Sequence, residues 1–437
     1  MIFSEWVGIA AFLLLLVILL LRVPIGAALA LVGITGLAVL ISPEAALIKA
    51  GVIAFDTVSR YELGVLPLFM LMAQLCFAAG ASGDFFEMAA RFVGHRRGGL
   101  AMASIGGCAG FGAISGSSLA TVATVSAVAL PEMRRAGYQP GFAAGALAAG
   151  GTLGSLTPPS GALIVYGIIA EQSIGKLFGA AVIPVVTQAL LYIAVIALLC
   201  RFNPALGPAG QRASWRERLV SLRRVTDIAL LILFVVGGLI IGWFTPTEAA
   251  SVGCVGALLI LALRRRFTHA ALATALYETL RTTGMIYLIV IGALLFSTFV
   301  SVTGVTDHLT GLVHAAGASP TLAVIAMALV LLLLGSFLDG LALMLLMTPI
   351  LLPIVGTLGL SPIWFGIFLV RTMEIGFVHP PLGFNVYVIH AGAKDIPVGS
   401  IFRGIIPFLL SDFVHLALLI AFPAMVLWLP HLQGGLK

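Results

Sequence analysis

The chain has 437 residues, of which 61% are hydrophobic and 9% charged, with a mean hydropathy of +1.17; soluble globular chains carry about 25% charge, so a soluble fold is excluded. A bilayer crossing takes about 20 apolar residues, which gives this length room for roughly ten to twelve crossings and none for a separate soluble domain. The net charge of +6 comes from Arg and Lys grouped in short clusters between apolar runs, the pattern of topology-setting loops and not of a nucleic-acid surface. The stretch Met1–Trp6 lacks the basic start of a signal peptide, and its apolar run passes after Arg22 into a second one, so it reads as a retained first span. Residues 43–63 read as an interfacial segment carrying Lys49, Asp56, Arg60 and Glu62. Cys76, Cys108, Cys200 and Cys254 lie far apart in or beside apolar stretches, with no spacing suited to zinc, haem or redox exchange, and read as small core residues.

Between Arg91, Arg96, Arg97 and Arg134, Arg135 lies an apolar run over 99–131. Positive charge at both ends places both in the cytoplasm, and about 33 residues are too few for two full crossings of about 20. The run therefore reads as a re-entrant hairpin, with its tip at Ser115-Gly116-Ser117-Ser118. Next comes Gly150-Gly151-Thr152-Leu153-Gly154-Ser155-Leu156-Thr157-Pro158-Pro159-Ser160-Gly161, a helix interrupted at its Pro-Pro pair, because proline removes donors and frees carbonyls from the helical ladder. Arg201 to Arg224 form a cytoplasmic link, Arg264-Arg265-Arg266 a second cytoplasmic turn, and Lys394 with Arg403 a third. Residues 267–281 read as a second interfacial segment.

A shift of 222 residues superposes Leu130-Pro131 on Leu352-Pro353, Gly137 on Gly359, Pro140 on Pro362, Gly154 on Gly376, Pro158-Pro159 on Pro380-Pro381 and Gly161 on Gly383 without a gap. Residues that shape the backbone thus recur as two copies of one unit. The second hairpin, about 320–355, is flanked by Gly317-Ala318-Ser319-Pro320 and Gly356-Thr357-Leu358-Gly359 without Lys or Arg, so it enters from the opposite face. Counting spans puts Arg22 inside and both termini outside. The expected fold is an all-α polytopic membrane protein, an inverted-repeat elevator-type transporter with two re-entrant helical hairpins and two broken helices. Its first repeat covers 1–200 (scaffold about 5–63, transport part about 65–200), its linker 201–225, and its second repeat 226–437 (scaffold about 226–281, transport part about 283–437).

Hydroxyls and open backbone at membrane depth are costly unless they line a cavity or bind something. Ser and Gly also let helices pack closely, but at a tip followed by a Pro-Pro break the site reading outweighs packing. Half-helix C-termini hold cations and N-termini attract anions, and oxygen-only ligands suit a hard ion such as Na⁺. In the second copy the tip is Gly335-Ser336-Phe337-Leu338-Asp339-Gly340, and the broken helix runs Glu374-Ile375-Gly376-Phe377-Val378-His379-Pro380-Pro381-Leu382-Gly383-Phe384-Asn385. Asp339 reads equally as an ion ligand and as a cap of the second arm. Arg371, three residues before Glu374, reads as its ion-pair partner ahead of a direct anchor for a substrate carboxylate. His379 reads as a pH-sensitive ligand or as a hydrogen-bonded packing residue. Substrate would lie between the tips, near Ser117, Ser118, Ser160 and Asn385.

These motifs, together with Pro131-Glu132-Met133, Gly137-Tyr138, Thr245-Pro246-Thr247-Glu248-Ala249-Ala250 and Thr348-Pro349-Ile350-Leu351-Leu352-Pro353, resemble the large membrane subunit of tripartite ATP-independent periplasmic (TRAP) transporters over almost the whole chain. The resemblance implies a bacterial inner-membrane protein that works by an elevator mechanism, in which Na⁺ drives uptake of a small organic acid delivered by a periplasmic binding protein. A small four-helix membrane subunit would brace the scaffold. By matching motif positions, a first Na⁺ site would draw on Ser115, Ser117, Gly154, Thr157 and Pro158, and a second on Ser336, Asp339, Gly376 and His379. Where the family usually has Thr before the second Pro-Pro, this chain has His379, which removes a hydroxyl ligand; Arg371 also departs from the pattern.

Other classes fare worse. A self-sufficient cation-coupled carboxylate carrier of the same architecture is the runner-up. The sequence has no Walker loop, no His-Glu-x-x-His and no Gly-x-Ser-x-Gly, which argues against an ATP-driven pump and an intramembrane enzyme. Tips entering from opposite faces argue against an open channel.

Overall fold

The structure, a computed structural model, describes residues 3–21, 23–315 and 319–434; Arg22 and Gly317-Ala318, on which parts of the topological reading rest, lie outside the described residues. Among the described residues the regular structure is entirely helical, which satisfies each segment's backbone groups without a sheet partner in lipid. The first half comprises α1 (Phe3–Leu20), α2 (Ile25–Leu40), α3 (Pro43–Ser59), a 3-10 turn (Tyr61–Gly64), α4 (Val65–Ala78), α5 (Ala81–Val93), α6 (Gly99–Ser115), α7 (Ser118–Arg135), α8 (Pro140–Leu156), α9 (Gly161–Ile169) and α10 (Ile174–Phe202). The second comprises α11 (Trp215–Ile241), α12 (Pro246–Leu263), α13 (His269–Thr303), α14 (Val305–Ala315), α15 (Pro320–Gly335), α16 (Gly340–Thr357), α17 (Pro362–Gly376), α18 (Phe384–Gly392), α19 (Val398–Ala421) and α20 (Ala424–Gly434). Helices α6 to α10 recur in order as α15 to α19.

The breaks fall where the backbone-shaping residues lie. The α6–α7 connection is Gly116-Ser117, with Gly116 at φ +58°, a conformation glycine reaches without a Cβ clash. Ser117 then caps α7 by accepting a hydrogen bond from Ala120 N. Helices α8 and α9 meet at 41° across the first Pro-Pro pair. Thr245 and Glu248 form a reciprocal cap at the start of α12.

Four features differ from the sequence reading. Seven helices among the described residues are long and apolar enough to cross a membrane, or eight if α8–α9 counts as one span, while α1, α2, α6 and α15 are shorter; breaks cut what composition counted as crossings. Helix α13 runs unbroken for 35 residues, about 52 Å, so 267–281 is largely the first part of a span and the boundary expected near 282 falls inside it. Two short helices, α5 and α14, precede the hairpins. The link is helical from Trp215, because Ser214 and Glu217 cap each other's backbone.

The basic clusters share one face. Arg224 and Arg91 reach Glu87 at 2.9 and 3.6 Å, tying α11 to α5, and Arg264 bridges Asp84 and Asp227, each at 2.6 Å. Hydrogen bonding to Asp227 is the main factor holding the Arg264 guanidinium above its ordinary value. Arg134 pairs with Asp395 at 2.9 Å and holds that carboxyl below its ordinary value. Helices α2 and α13 meet backbone to backbone: a Cβ on Gly26 would fall 2.7 Å from Leu288 C, and one on Gly33 2.8 Å from Leu295 C. Small residues at such contacts are how membrane helices pack without a hydrophobic driving force.

Candidate transport site

The first tip is built on serine hydroxyls. Ser115 Oγ lies 2.7 Å from Thr121 Oγ1 and 3.3 Å from Ser117 O, so three oxygens of one hairpin cluster beside the break. Gly154 of α8 faces them: a Cβ there would fall 2.6 Å from Ser117 O and 2.9 Å from Thr121 Cβ, and one on Gly112 would fall 2.9 Å from Gly154 Cα. Only glycines permit that approach. Thr157 Oγ1 donates to Leu153 O at 2.6 Å, at the last turn of α8. Pro158, the next residue, lies buried beside it. The oxygen-only grouping fits a hard cation.

The second tip repeats the close approach. A Cβ on Gly376 would fall 2.7 Å from Gly335 O. Ser336 Oγ lies 3.1 Å from His379 Nδ1, so the imidazole occupies the side of the hydroxyl where the first copy offers only oxygens. Asp339 accepts from Leu341 N at 3.1 Å and caps α16; the capping reading is correct, and the same carboxyl also borders the cavity described next.

A cavity of about 300 Å³ joins the two copies, bordered by Gly116, Ser117 and Ser118 of the first tip, Ser155 and Gly161 of the first break, and Asp339 and Leu341 of the second tip. Helices α2, α4 and α13 close it with Ile25, Met70, Thr282 and Met285. The N-terminal ends of α7, α9 and α16 all open onto it. Among the expected substrate residues, Ser117 and Ser118 border this space and three do not. Asn385, fully buried, donates from Nδ2 to Ser118 Oγ and to Ala148 O, both at 3.0 Å, and so supports the tip from behind. Ser160 caps α9, accepting from Leu163 N at 3.2 Å, and bonds back to Ser155 O.

Arg371 also lies away from the cavity. It is completely buried and bonds Glu374 at 2.9 Å, Asp412 at 2.5 Å and His415 Nδ1 at 3.2 Å. The sequence reading of an ion pair is correct, and its alternative of a substrate anchor is not what this arrangement offers. Thr121 and Ser155 were not singled out beforehand. Thr121 lies four residues after Ser117, on the same helix face, and Ser155 Oγ accepts a hydrogen bond from Ser118 N at 3.1 Å.

Similarity to known proteins follows the same lines. The family model for the tripartite ATP-independent periplasmic transporter, DctM component, matches residues 12–425. The chain belongs to this family. It is 37% identical over 381 residues to the C4-dicarboxylate TRAP transporter large permease protein DctM of Pseudomonas aeruginosa, covering 87% of this chain and 88% of that one. It is 32% identical over 379 residues to the sialic acid TRAP transporter large permease protein SiaM of Vibrio cholerae, with 86% and 88% covered. Among solved structures, the YdaH transporter of Alcanivorax borkumensis superposes with a TM-score of 0.63 at 13% identity, covering 88% of this chain and 90% of that one, a likeness of fold. The DctM-family chain is thus a transporter permease, not an enzyme, and a multi-pass protein of the bacterial inner membrane.

Proposed function

We propose that this DctM-family permease takes up a small organic acid in symport with Na⁺, receiving it from a periplasmic binding protein and working beside a small membrane subunit. The observation that carries the reading is the cavity between the two hairpin tips, onto which three helix N-termini open. Each such end carries roughly half a positive charge, and among the described residues no Lys or Arg borders the space, so dipoles and serine hydroxyls would hold a carboxylate. The oxygen cluster at Ser115, Ser117 and Thr121, backed by Gly154, Thr157 and Pro158, would hold a first Na⁺. Ser336, Asp339, Gly376 and His379 would form a second, altered site.

The hairpins and broken helices of both halves would move as one body in an elevator cycle, against a scaffold of α1 to α4 and α11 to α13. We place the boundaries after α4 and after α13, which moves α4 out of the transport part expected over about 65–200: the unbroken α13 stands where the first half has α3 and α4, and one helix cannot belong to both parts. The repeats would be inverted, with both hairpins re-entrant from opposite faces, the basic face lying in the cytoplasm.

The test is uptake into proteoliposomes holding both membrane subunits, with and without a binding protein encoded beside them, under imposed Na⁺ gradients. Saturable uptake that needs the binding protein and Na⁺, and that loses cooperativity in Na⁺ in Ser117→Ala, supports the reading. Uptake of free substrate without the binding protein would defeat its tripartite part, and Na⁺-independent flux would defeat the symport.

A further inference from the structure

The lining of the cavity between the tips restricts its occupant more closely than to an organic acid of any kind. Ser117 and Ser155 each accept a hydrogen bond from a backbone N–H, that of Ala120 and that of Ser118. Both hydroxyl hydrogens are therefore left to donate. Together with the N-terminal ends of α7 and α9 they make one anion-binding corner.

The opposite lining is of another kind. Ile25, Met70, Met285, Met373 and Phe377 border the same space, and none of these side chains donates a hydrogen bond. Asp339 is the one ionisable side chain among the described residues that border it. A second carboxylate on a ligand would meet that group as a like charge, in surroundings where water screens poorly. A Na⁺ held by Asp339 would cancel its charge and leave none over. The oxygens grouped at Ser115, Ser117 and Thr121 come from uncharged residues, so a Na⁺ there would add one positive charge, which a single carboxylate matches. Hydroxyls on the body of a ligand fare no better, because against methionine and phenylalanine they lose water without gaining a partner. At about 30 Å³ for each water-sized group, the roughly 300 Å³ of the cavity takes about ten non-hydrogen atoms.

We propose that the permease selects small monocarboxylates with an apolar body over dicarboxylates and polyhydroxylated sugar acids. The carboxylate lies at Ser117 and Ser155, and the body lies against the methionines of α4, α13 and α17, whose flexible thioethers adapt to its shape. This assignment rests on the reading of the cavity as the substrate site.

The experiment is isothermal titration calorimetry of the two membrane subunits together in lipid nanodiscs, in NaCl, with 4-methylvalerate, succinate and gluconate as probes. Binding of 4-methylvalerate at least tenfold tighter than that of either other acid is the expected result. Succinate or gluconate binding as tightly or more tightly would overturn the selectivity and leave the cavity reading standing. Met285→Lys tests the cavity itself, at a position 54% exposed where the fold tolerates a longer side chain. The added cation should tighten succinate about tenfold and weaken 4-methylvalerate. Affinities that do not move in this variant would show that the acids bind elsewhere, and would defeat the cavity reading and the proposal together.

Discussion

Replacing Ser118 and Asn385 by Ala, singly and together, tests whether the first hairpin tip rests on the second broken helix. Asn385 Nδ2 lies 3.0 Å from both Ser118 Oγ and Ala148 O, and Asn385 and Ser118 are 0% and 1% exposed. Truncating Asn385 removes these bonds and leaves a buried hydroxyl and carbonyl short of a donor. With about 0.5–1.5 kcal/mol per bond and about 1–3 for an orphaned group, Asn385→Ala should cost about 2–4 kcal/mol. Couplings between hydrogen-bonded side chains of membrane helices centre near 0.6 kcal/mol and reach about 1.7, so the cycle should return about 0.5–1.5. The assay is equilibrium unfolding in mixed micelles of a mild and a denaturing detergent, followed by near-ultraviolet circular dichroism. Losses that add within about 0.3 kcal/mol would mean the two side chains do not meet, and the contact between the copies would have to be redrawn.

Five further substitutions, at four positions, probe the packing and the ion sites. Gly376→Ala pushes a methyl to within 2.7 Å of Gly335 O; backbone cannot yield as a side chain does, so about 1–3 kcal/mol should be lost, while Gly237→Ala, with open space around it, stays within about 0.5 kcal/mol, both read from thermal melting. Arg371→Met strands Asp412 and should cost about 3–5 kcal/mol, seen as loss of the monodisperse peak in size-exclusion chromatography; Arg371→Lys should rescue it poorly, since an ammonium cannot reproduce the guanidinium fork. His379→Thr restores a hydroxyl beside Ser336 and should lower the half-saturating Na⁺ concentration by about 2–10-fold, the worth of one net hydrogen bond, measured by Na⁺-dependent uptake.

Much of the fold was legible because its breaks are written locally. Gly116-Ser117, Asp339-Gly340 and the two Pro-Pro pairs end or start helices through their own backbone chemistry, whatever surrounds them. The contrast between the halves shows the limit of that logic. The turn Tyr61–Gly64 separates α3 from α4, with Pro67 in the first turn of α4 where no helical donor is needed, whereas no proline occurs from His269 to Thr303. A change from polar to apolar composition inside that stretch looked like a boundary, yet polarity alone does not stop a helix. Helices α5 and α14 escaped notice because eleven to thirteen mixed residues do not stand out in an apolar chain. At the site, Arg371 and Glu374 were readable from their i, i+3 spacing, but Asp412 comes from α19, and a partner 41 positions away leaves no local mark.

The uninterrupted α13 ties two jobs together. Its N-terminal turns carry the exposed Leu276, Tyr277 and Leu280, while Thr282, Met285, Ile286 and Ile289 along the same rod face the cavity. A stiff rod cannot let its inner stretch slide without dragging its outer turns along. In the proposed elevator cycle that wall of the chamber would keep a constant depth and give a travelling partner a fixed reference against which to rise and sink.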